Sequence, residues 1–173
     1  MKTVDYLEKQ YNHAFDMVKF GETKNTTLIA FNGAIIVGMT TLLSEAKILL
    51  LQYYLLFIIG MCAISIFISF SALIAKIKHT TNNISLHQND NLLFFATLAH
   101  MKHEELIDKL KSQYDCIGSN ANHEKDLARQ VIITSQIAAR KFKLFNTAIA
   151  FTFCGILTPF SLLIHKSYLD QDK

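Results

Sequence analysis

Three long runs of this 173-residue sequence carry no charged side chain. Residues 25–44, 48–75 and 144–164 contain no Asp, Glu, Lys or Arg. About 20 mostly apolar helical residues cross a hydrocarbon core roughly 30 Å thick. Each run therefore predicts a transmembrane helix, and a soluble one-domain enzyme is excluded. The runs are also continuous rather than alternating, so they exclude a transmembrane β-barrel.

These runs predict an all-α membrane protein with three transmembrane helices and a cytoplasmic helical module between the second and third. Only 18% of the chain is charged, against about 25% in an average soluble domain. The net charge of +3 is too mild to indicate nucleic acid as a partner. The predicted segments are a cytoplasmic amphipathic helix (1–24), a two-helix transmembrane hairpin (25–75), a cytoplasmic sensing and coupling module (76–143), a third transmembrane helix (144–165) and an external tail (166–173).

The basic residues predict the orientation in the membrane. Lys and Arg are enriched on the cytoplasmic side of membrane spans. They cluster here just before the first span, just after the second and just before the third, at Lys19, Lys24, Lys76, Lys78, Arg140, Lys141 and Lys143. We therefore expect a multi-pass inner-membrane protein with a cytoplasmic N-terminus and an external C-terminus. A cleaved signal is disfavoured because about two dozen residues precede the first apolar run.

The segment before the first span has the pattern of an amphipathic helix. Apolar residues recur at spacings of three and four, at Val4, Leu7, Tyr11, Ala14 and Val18. Such a stripe indicates either a helix packed on the rest of the chain or a short coiled-coil seam between subunits. The first interpretation is favoured because the repeat is only about two and a half heptads long. Gly21 and the Asn25–Thr26 pair are expected to interrupt the helix where the chain enters the membrane.

Within the first span, small residues and one amide indicate helix packing. Ala30, Ala34 and Gly38 lie four residues apart on one helix face, a spacing that lets membrane helices approach closely, within one chain or between chains. Asn32 lies in the same span, where an amide needs a hydrogen-bond partner. We expect Asn32 to bridge helices within the chain, a role favoured over lining a pore.

The 76–143 segment opens with a polar loop, 79–91, followed by an apolar run, 92–99, that is too short to span a membrane. The run predicts a buried strand, a short core helix or an interfacial segment. A helix is expected from Met101, with Glu105 paired to Lys109 one turn later. Its apolar stripe is predicted at Ile107, Leu110, Tyr114 and Ile117.

A single long helix is predicted to connect the cytoplasmic module with the third span. No Gly or Pro occurs between His123 and Gly155, so nothing interrupts helix formation there. We expect one helix from His123 to about His165, with a kink near Gly155 and Pro159. Such a helix would couple a cytoplasmic event directly to the bilayer.

No catalytic motif is apparent, and no catalytic residue, metal or cofactor is predicted. There is no Gly-rich phosphate loop, no CxxC and no HExxH. His100 and His103 beside Glu104 and Glu105 are the one arrangement that resembles a metal site. Surface histidines at a helix start are favoured over zinc ligands, because a closed zinc site needs four ligands.

The cytoplasmic module does contain side chains that a nucleotide needs. Phe94 and Phe95 offer rings for a base, Asn91 offers an amide for the base edge, and Arg129 offers a charge for a phosphate. The same residues are also ordinary parts of a helical bundle, as apolar anchors and as residues of a solvated helix face. Composition alone does not decide between the two interpretations.

Two segments resemble a known family. Asn91-Leu-Leu-Phe-Phe-Ala, and Ser135-Gln-Ile-Ala-Ala-Arg-Lys-Phe-Lys-Leu-Phe leading into the last span, are similar to the Pycsar effector domain family. This family supplies small bacterial membrane effectors of the pyrimidine cyclase antiphage system. The resemblance covers roughly residues 20–165, and Glu22-Thr-Lys24 resembles the acidic–x–Lys element at the family's first span.

The resemblance implies that the protein is an effector without enzymatic activity. A phage-triggered pyrimidine nucleotide cyclase would make cyclic CMP or cyclic UMP, and the effector would sense it in the cytoplasm and impair the inner membrane, causing abortive infection. So few cytoplasmic residues imply a homo-oligomer with its ligand site between subunits. Two alternatives stay open. One is a ligand-independent, holin-like pore former or toxin, and the other is a membrane subunit that docks a cytoplasmic enzyme through the Val4–Val18 stripe.

Overall fold

The computed structural model describes residues 2–74, 91–113, 117–118 and 121–171, with the side chains of the last helix described as far as Thr158. The described elements are all helices, which confirms the predicted helical class. They are α1 (Thr3–Glu45), α2 (Leu49–Leu73), α3 (Phe95–Leu98), α4 (His103–Gln113) and α5 (Ala121–Gln171). Most of the predicted polar loop, together with Tyr114 of the predicted stripe, lies outside the described residues.

α1 is one continuous helix of 43 residues. The helix break expected at Gly21 and at Asn25–Thr26 is therefore wrong. A glycine inside a helix costs only about 1 kcal/mol relative to alanine, and packing offsets that cost here. A Cβ atom at position 21 would lie 3.1 Å from the Cβ atom of Lys141, so the glycine permits a close helix approach. α5 is likewise continuous, as predicted, and contains the whole predicted third span. It ends at Gln171 rather than near His165, so the helix continues into the segment predicted as the tail.

The chain divides into two compact units. Unit 1 comprises Met1–Glu22 and Ala75–Phe142, and unit 2 comprises Thr23–Ile74 and Lys143–Lys173. The boundaries fall inside α1 and inside α5 as well as at the end of α2. Both long helices therefore contribute residues to both units.

Unit 1 has a core of large apolar side chains. Leu7 of α1, Leu106 and Leu110 of α4, and Val131 of α5 are fully buried. The 92–99 run is a turn followed by the short helix α3, and it fills the same core with Leu92 and Leu98. Of the three structures predicted for this run, a short core helix is the one observed.

Two predicted stripes in unit 1 are rotated by about one residue. Val4, Tyr11 and Val18 of α1 are half-buried, while the buried positions on this part of the helix are Thr3, Tyr6, Leu7, Gln10 and Ala14. The packing of α1 on the rest of the chain is confirmed. In α4 Leu106 is buried and Ile107 half-buried, so the predicted stripe was centred one residue too late. Ile117 is mostly exposed, and its inclusion in that stripe was wrong.

Within unit 1, α1 and α5 run in the same direction. At one end the backbone N–H of Thr3 donates to the carbonyl of Ile117, just before α5, at 3.1 Å. At the other end the ring of Phe20 lies 6.0 Å from that of Phe142. The N-terminal ends of the two helices therefore lie together, and so do the segments around Phe20 and Phe142.

Unit 2 contains residues of α1, α2 and α5. Among the described residues, α1 and α2 are the two helices that are long and apolar enough to cross a membrane. Only 11% of the most apolar stretch of α1 and 28% of that of α2 are buried. The core helix of a soluble protein is mostly buried, so these helices do not resemble soluble core helices. α1 also lies near the N-terminus, where a signal sequence would pass the same test of length and composition.

Candidate functional site

The interior of unit 2 is built around three hydrogen-bonded polar side chains, one from each of its helices. The Asn32 amide donates to Ser65 Oγ at 3.0 Å, and Thr152 Oγ1 donates to Asn32 Oδ1 at 2.9 Å. Ser65 Oγ donates in turn to the carbonyl of Ala148 at 2.8 Å. We call Asn32, Ser65 and Thr152 the polar triad. Its members are at most 2% exposed.

Small residues also contribute to the interior of unit 2. Ser69 and Ala72 of α2 and Ala148 of α5 are buried. Gly155 is buried as well, and a Cβ atom there would lie 2.8 Å from the Cβ atom of Met61. Close backbone approach and interhelical hydrogen bonds are the two means by which helices associate in lipid.

The outer surface of unit 2 is large and apolar. Exposed side chains include Phe31 and Val37 of α1, Phe67 and Phe70 of α2, and Phe153 and Leu157 of α5. Contiguous exposed apolar surface of this kind is unusual on a soluble protein. Polar groups inside and large apolar groups outside are the arrangement that a lipid environment favours.

The predicted stripe of small residues lies away from the polar triad. Ala30, Ala34 and Gly38 are exposed, and no atom lies within 4 Å of a Cβ atom built at position 38. Among the described residues the stripe therefore packs against nothing in its own chain. The described residues therefore leave this stripe available for packing against a second copy.

In unit 1, four phenylalanines form an aromatic cluster, defined here as Phe20, Phe94, Phe95 and Phe142. The ring of Phe95 lies 5.1 Å from that of Phe94 and 5.4 Å from that of Phe142, and Phe142 in turn contacts Phe20. These separations are typical of favourable aromatic pairs. The cluster joins the turn before α3 to α1 and α5.

Asn91 and the predicted rings are brought together by a tight turn. Asn91 Oδ1 accepts the backbone N–H of Leu93 at 2.9 Å, and the Asn91 carbonyl accepts the N–H of Phe94 at 3.2 Å. Asparagine side chains commonly close such turns. The side-chain oxygen of Asn91 is therefore committed to its own turn.

Arg129, the fourth predicted nucleotide contact, also belongs to unit 1 but lies far from the other three residues. It is exposed on α5, 13 residues before Phe142, which places it about 20 Å along the helix axis from the aromatic cluster. A mononucleotide is too small to span that distance. Within one chain, therefore, the structure does not combine Arg129 with Asn91, Phe94 and Phe95 in a single pocket.

Two ion pairs of unit 1 were missed by the sequence analysis. Lys141, whose side chain is almost fully buried, pairs with Glu22 at 3.0 Å, and the buried Glu124 pairs with Lys111 at 3.1 Å. Glu22 did appear within the Glu22-Thr-Lys24 element, but its partner lies far away in the sequence. The predicted pair of Glu105 and Lys109 is confirmed at 3.4 Å.

The described residues contain no group of three His, Cys, Asp or Glu that could hold a metal ion. His103 Nε2 lies 3.7 Å from Glu104 Oε1 of the neighbouring residue, while His100 is exposed. The chemistry offered by the described residues is that of a buried polar triad, an aromatic cluster and exposed cations.

Fold and site together define a helical protein in which one unit has a core of large apolar side chains, while the other has a buried polar triad, an apolar outer surface and two candidate membrane spans. The model of the Pycsar effector protein domain matches residues 6–165, so the chain belongs to that family. This confirms the family resemblance found in the sequence. Comparison with curated proteins and comparison with solved structures each gave no match.

Family membership has direct consequences at a coarse level. The protein is an effector of a defence system. The system to which it belongs signals through a cyclic nucleotide made by a cyclase. The two candidate spans agree with a place in a membrane.

Proposed function

We propose that this protein is the membrane effector of an antiphage system. It senses a cyclic pyrimidine mononucleotide, cyclic CMP or cyclic UMP, through unit 1 in the cytoplasm. It then impairs the bacterial inner membrane through unit 2, and the infected cell dies or stops growing before the phage matures. Family membership supports the defence role.

The proposal that unit 2 lies in the membrane rests on one observation. Unit 2 has the polar triad inside and large apolar side chains outside, the reverse of the usual arrangement in a soluble protein. In water this arrangement would expose its phenylalanines and bury its polar groups, and both choices are unfavourable. The α5 residue of the triad, Thr152, lies in the run 144–164. We therefore propose that this run is a third span packed with the other two.

The orientation proposed is cytoplasmic for the N-terminus and for unit 1. Unit 1 contains 68 consecutive residues between the second and third spans, Ala75–Phe142, and that segment holds most of the chain's basic residues. Lys and Arg near span ends favour the cytoplasmic side. The ligand would then be met on the side where the cyclase makes it.

We propose that the nucleotide binds between copies of the chain. In this proposal the base stacks on Phe94 or Phe95 of one copy, beside Asn91, and Arg129 of another copy meets the phosphate. Since Arg129 lies about 20 Å along α5 from the aromatic cluster, this contact requires the two copies to be offset along α5 or α5 to be strongly tilted. Binding the active assembly about 3 kcal/mol more tightly than the resting one shifts the equilibrium roughly 100-fold.

The test of the proposed function is expression of the protein with and without its cyclase while membrane potential is followed. We expect depolarisation only when an active cyclase is present, and none with a catalytically dead cyclase. Depolarisation without any cyclic nucleotide would support a ligand-independent pore former instead. An unchanged potential under every condition would support a docking subunit.

The proposed phosphate contact has its own test. Arg129→Ala should abolish cyclase-dependent depolarisation while expression and membrane insertion stay normal, because the side chain is exposed. Lys125→Ala is the matched control, since it removes an exposed cation one turn earlier on the same helix. Wild-type nucleotide binding by purified Arg129→Ala protein would exclude this arginine from the site.

A further inference from the structure

Three large apolar side chains of unit 1 are about half exposed and lie in or beside the aromatic cluster. Phe20 is 49% exposed, Leu93 54% and Phe94 51%. Phe20 and Phe94 are linked through the intervening rings of Phe142 and Phe95. Phe15 and Ile117 of unit 1 are exposed as well, but they lie outside this group. Three exposed apolar side chains grouped in this way indicate a surface that another molecule covers.

Helix position places the patch beside the predicted membrane. Phe142 lies two residues before the charge-free run that begins at 144, which is about 3 Å along α5. Phe20 lies five residues before the run that begins at 25, which is about 7–8 Å along α1. If both runs span the bilayer, these two rings lie at headgroup depth, and the Leu93–Phe94 turn lies there with them.

The charges around the patch match an anionic lipid surface. Arg140 and Lys143 bracket Phe142 on α5. On α1, the Lys24 ammonium group lies 5.3 Å from the ring centroid of Phe145. Basic residues next to membrane spans attract the phosphates of anionic lipids. Phenylalanine and leucine interspersed with basic residues are the composition of segments that bind in the interface.

We infer that the Leu93–Phe94 turn, together with Phe20, inserts into the headgroup region of an anionic bilayer and anchors unit 1 to the membrane surface. Leu93 and Phe94 are adjacent, and the Asn91 turn presents both to the outside. Phe95 is half-buried against Phe142 and is not part of the anchor. Phe94 is thereby assigned to lipid, which leaves Phe95 as the ring available to a nucleotide base.

The absence of tryptophan from the sequence makes the anchor directly measurable. The full-length variant Phe94→Trp, reconstituted in vesicles of phosphatidylcholine and phosphatidylglycerol, should show blue-shifted emission. Lipids brominated on the acyl chains should quench most of that emission. Phe15→Trp is the matched control, because Phe15 is similarly exposed but lies about 15 Å from residue 25 along α1. Its emission should be quenched by aqueous iodide and unaffected by brominated lipid.

Leu93→Trp provides a second reporter in case Phe94→Trp folds poorly, and it should behave like Phe94→Trp. Emission at both positions that is quenched by iodide and insensitive to brominated lipid would overturn the inference, because the patch would then face water. Blue-shifted emission that brominated lipid does not quench would also overturn it, in favour of coverage by a second copy of the chain.

Discussion

The interiors of the two units differ in the apolar side chains that they bury, although both units also bury polar ones. Unit 1 buries leucines such as Leu7, Leu106 and Leu110, while most of its charged side chains lie outside. Unit 2 buries Asn32, Ser65 and Thr152 and exposes phenylalanines. Because α1 and α5 supply residues to both units, the difference is not one of secondary structure. We attribute it to the solvent proposed for each unit, water around unit 1 and lipid around unit 2.

The energetic reasons for the two interiors differ as well. In water, burying a leucine side chain removes apolar surface from solvent and stabilises a fold by roughly 1.5–3 kcal/mol. In lipid, packing two helices together gives no such gain in free energy, because the acyl chains are as apolar as leucine. Close packing of small residues and interhelical hydrogen bonds hold the helices together instead. The comparison predicts that similar substitutions act differently in the two units.

The largest difference is expected for a charge placed on each outer surface. Val37 is 68% exposed near the middle of the first charge-free run. Val37→Asp should cost about 3 kcal/mol of insertion free energy, roughly a 100-fold loss, because a carboxylate near the centre of a span is expensive. The fraction of protein that resists alkaline extraction from membranes measures the effect.

The matched change in unit 1 is Phe15→Asp. Phe15 is exposed too, and in water this change should leave membrane insertion unaltered. Equal behaviour of the two variants, whether both insert or both fail, would remove the distinction between the outer surfaces.

An effect of about 1–3 kcal/mol is expected from adding a methyl group inside unit 2. Gly155→Ala puts a Cβ atom 2.8 Å from that of Met61, so the helices must move apart, and overpacking typically costs that much. Gly38→Ala is the control, because nothing lies within 4 Å of position 38. Unfolding in mixed micelles should show Gly155→Ala destabilised and Gly38→Ala unchanged or slightly stabilised.

A larger side chain at Gly38 tests whether the stripe formed by Ala30, Ala34 and Gly38 packs against a second copy of the chain. If Gly38→Ile, with its larger side chain, reduces cross-linked oligomer, the effect is best explained by a second copy, since no described residue lies within 4 Å of a Cβ atom at position 38. If neither assembly nor depolarisation changes, the Ala30–Gly38 stripe faces lipid.

The smallest effect, about 1 kcal/mol, is expected for the polar triad. Asn32→Leu removes the donor to Ser65 and the acceptor from Thr152, and interhelical hydrogen bonds in membranes average about 0.6 kcal/mol each. The variant should therefore be less stable although it is more apolar. Asn12→Leu, at an exposed position of unit 1, should not change the unfolding midpoint. A more stable Asn32→Leu protein would show that unit 2 follows the rules of a soluble core.

Local patterns in the sequence were enough to predict α2, α4 and the continuity of α5, because helix formation depends largely on neighbouring residues. They did not predict that α1 continues through Gly21 and Asn25. The partners of Asn32 were not predictable. Thr152 lies 120 residues away, and only the register between α1 and α5 brings the two side chains together. The same limit explains the missed pair of Lys141 and Glu22.

Other differences between the predicted and the observed positions arose where two neighbouring residues, or two faces of one helix, fitted the same local sequence pattern. Leu106 and Ile107 are both apolar, so spacing alone did not decide which one faces the core of unit 1. Ala30 and Gly38 have the spacing of a packed face, but α2 and α5 contact the neighbouring face that carries Asn32. Phe94 and Phe95 are identical in type, and only the turn made by Asn91 distinguishes the exposed ring from the half-buried one.

The most direct test of the two-solvent account is thiol accessibility in intact spheroplasts. Gln88→Cys and Gln171→Cys are introduced separately into a protein lacking Cys62, Cys116 and Cys154, and an impermeant thiol reagent is added from outside. The three-span arrangement predicts labelling of the cysteine at position 171 and none at position 88 until the cells are lysed. Equal labelling of the two positions in intact spheroplasts would contradict it.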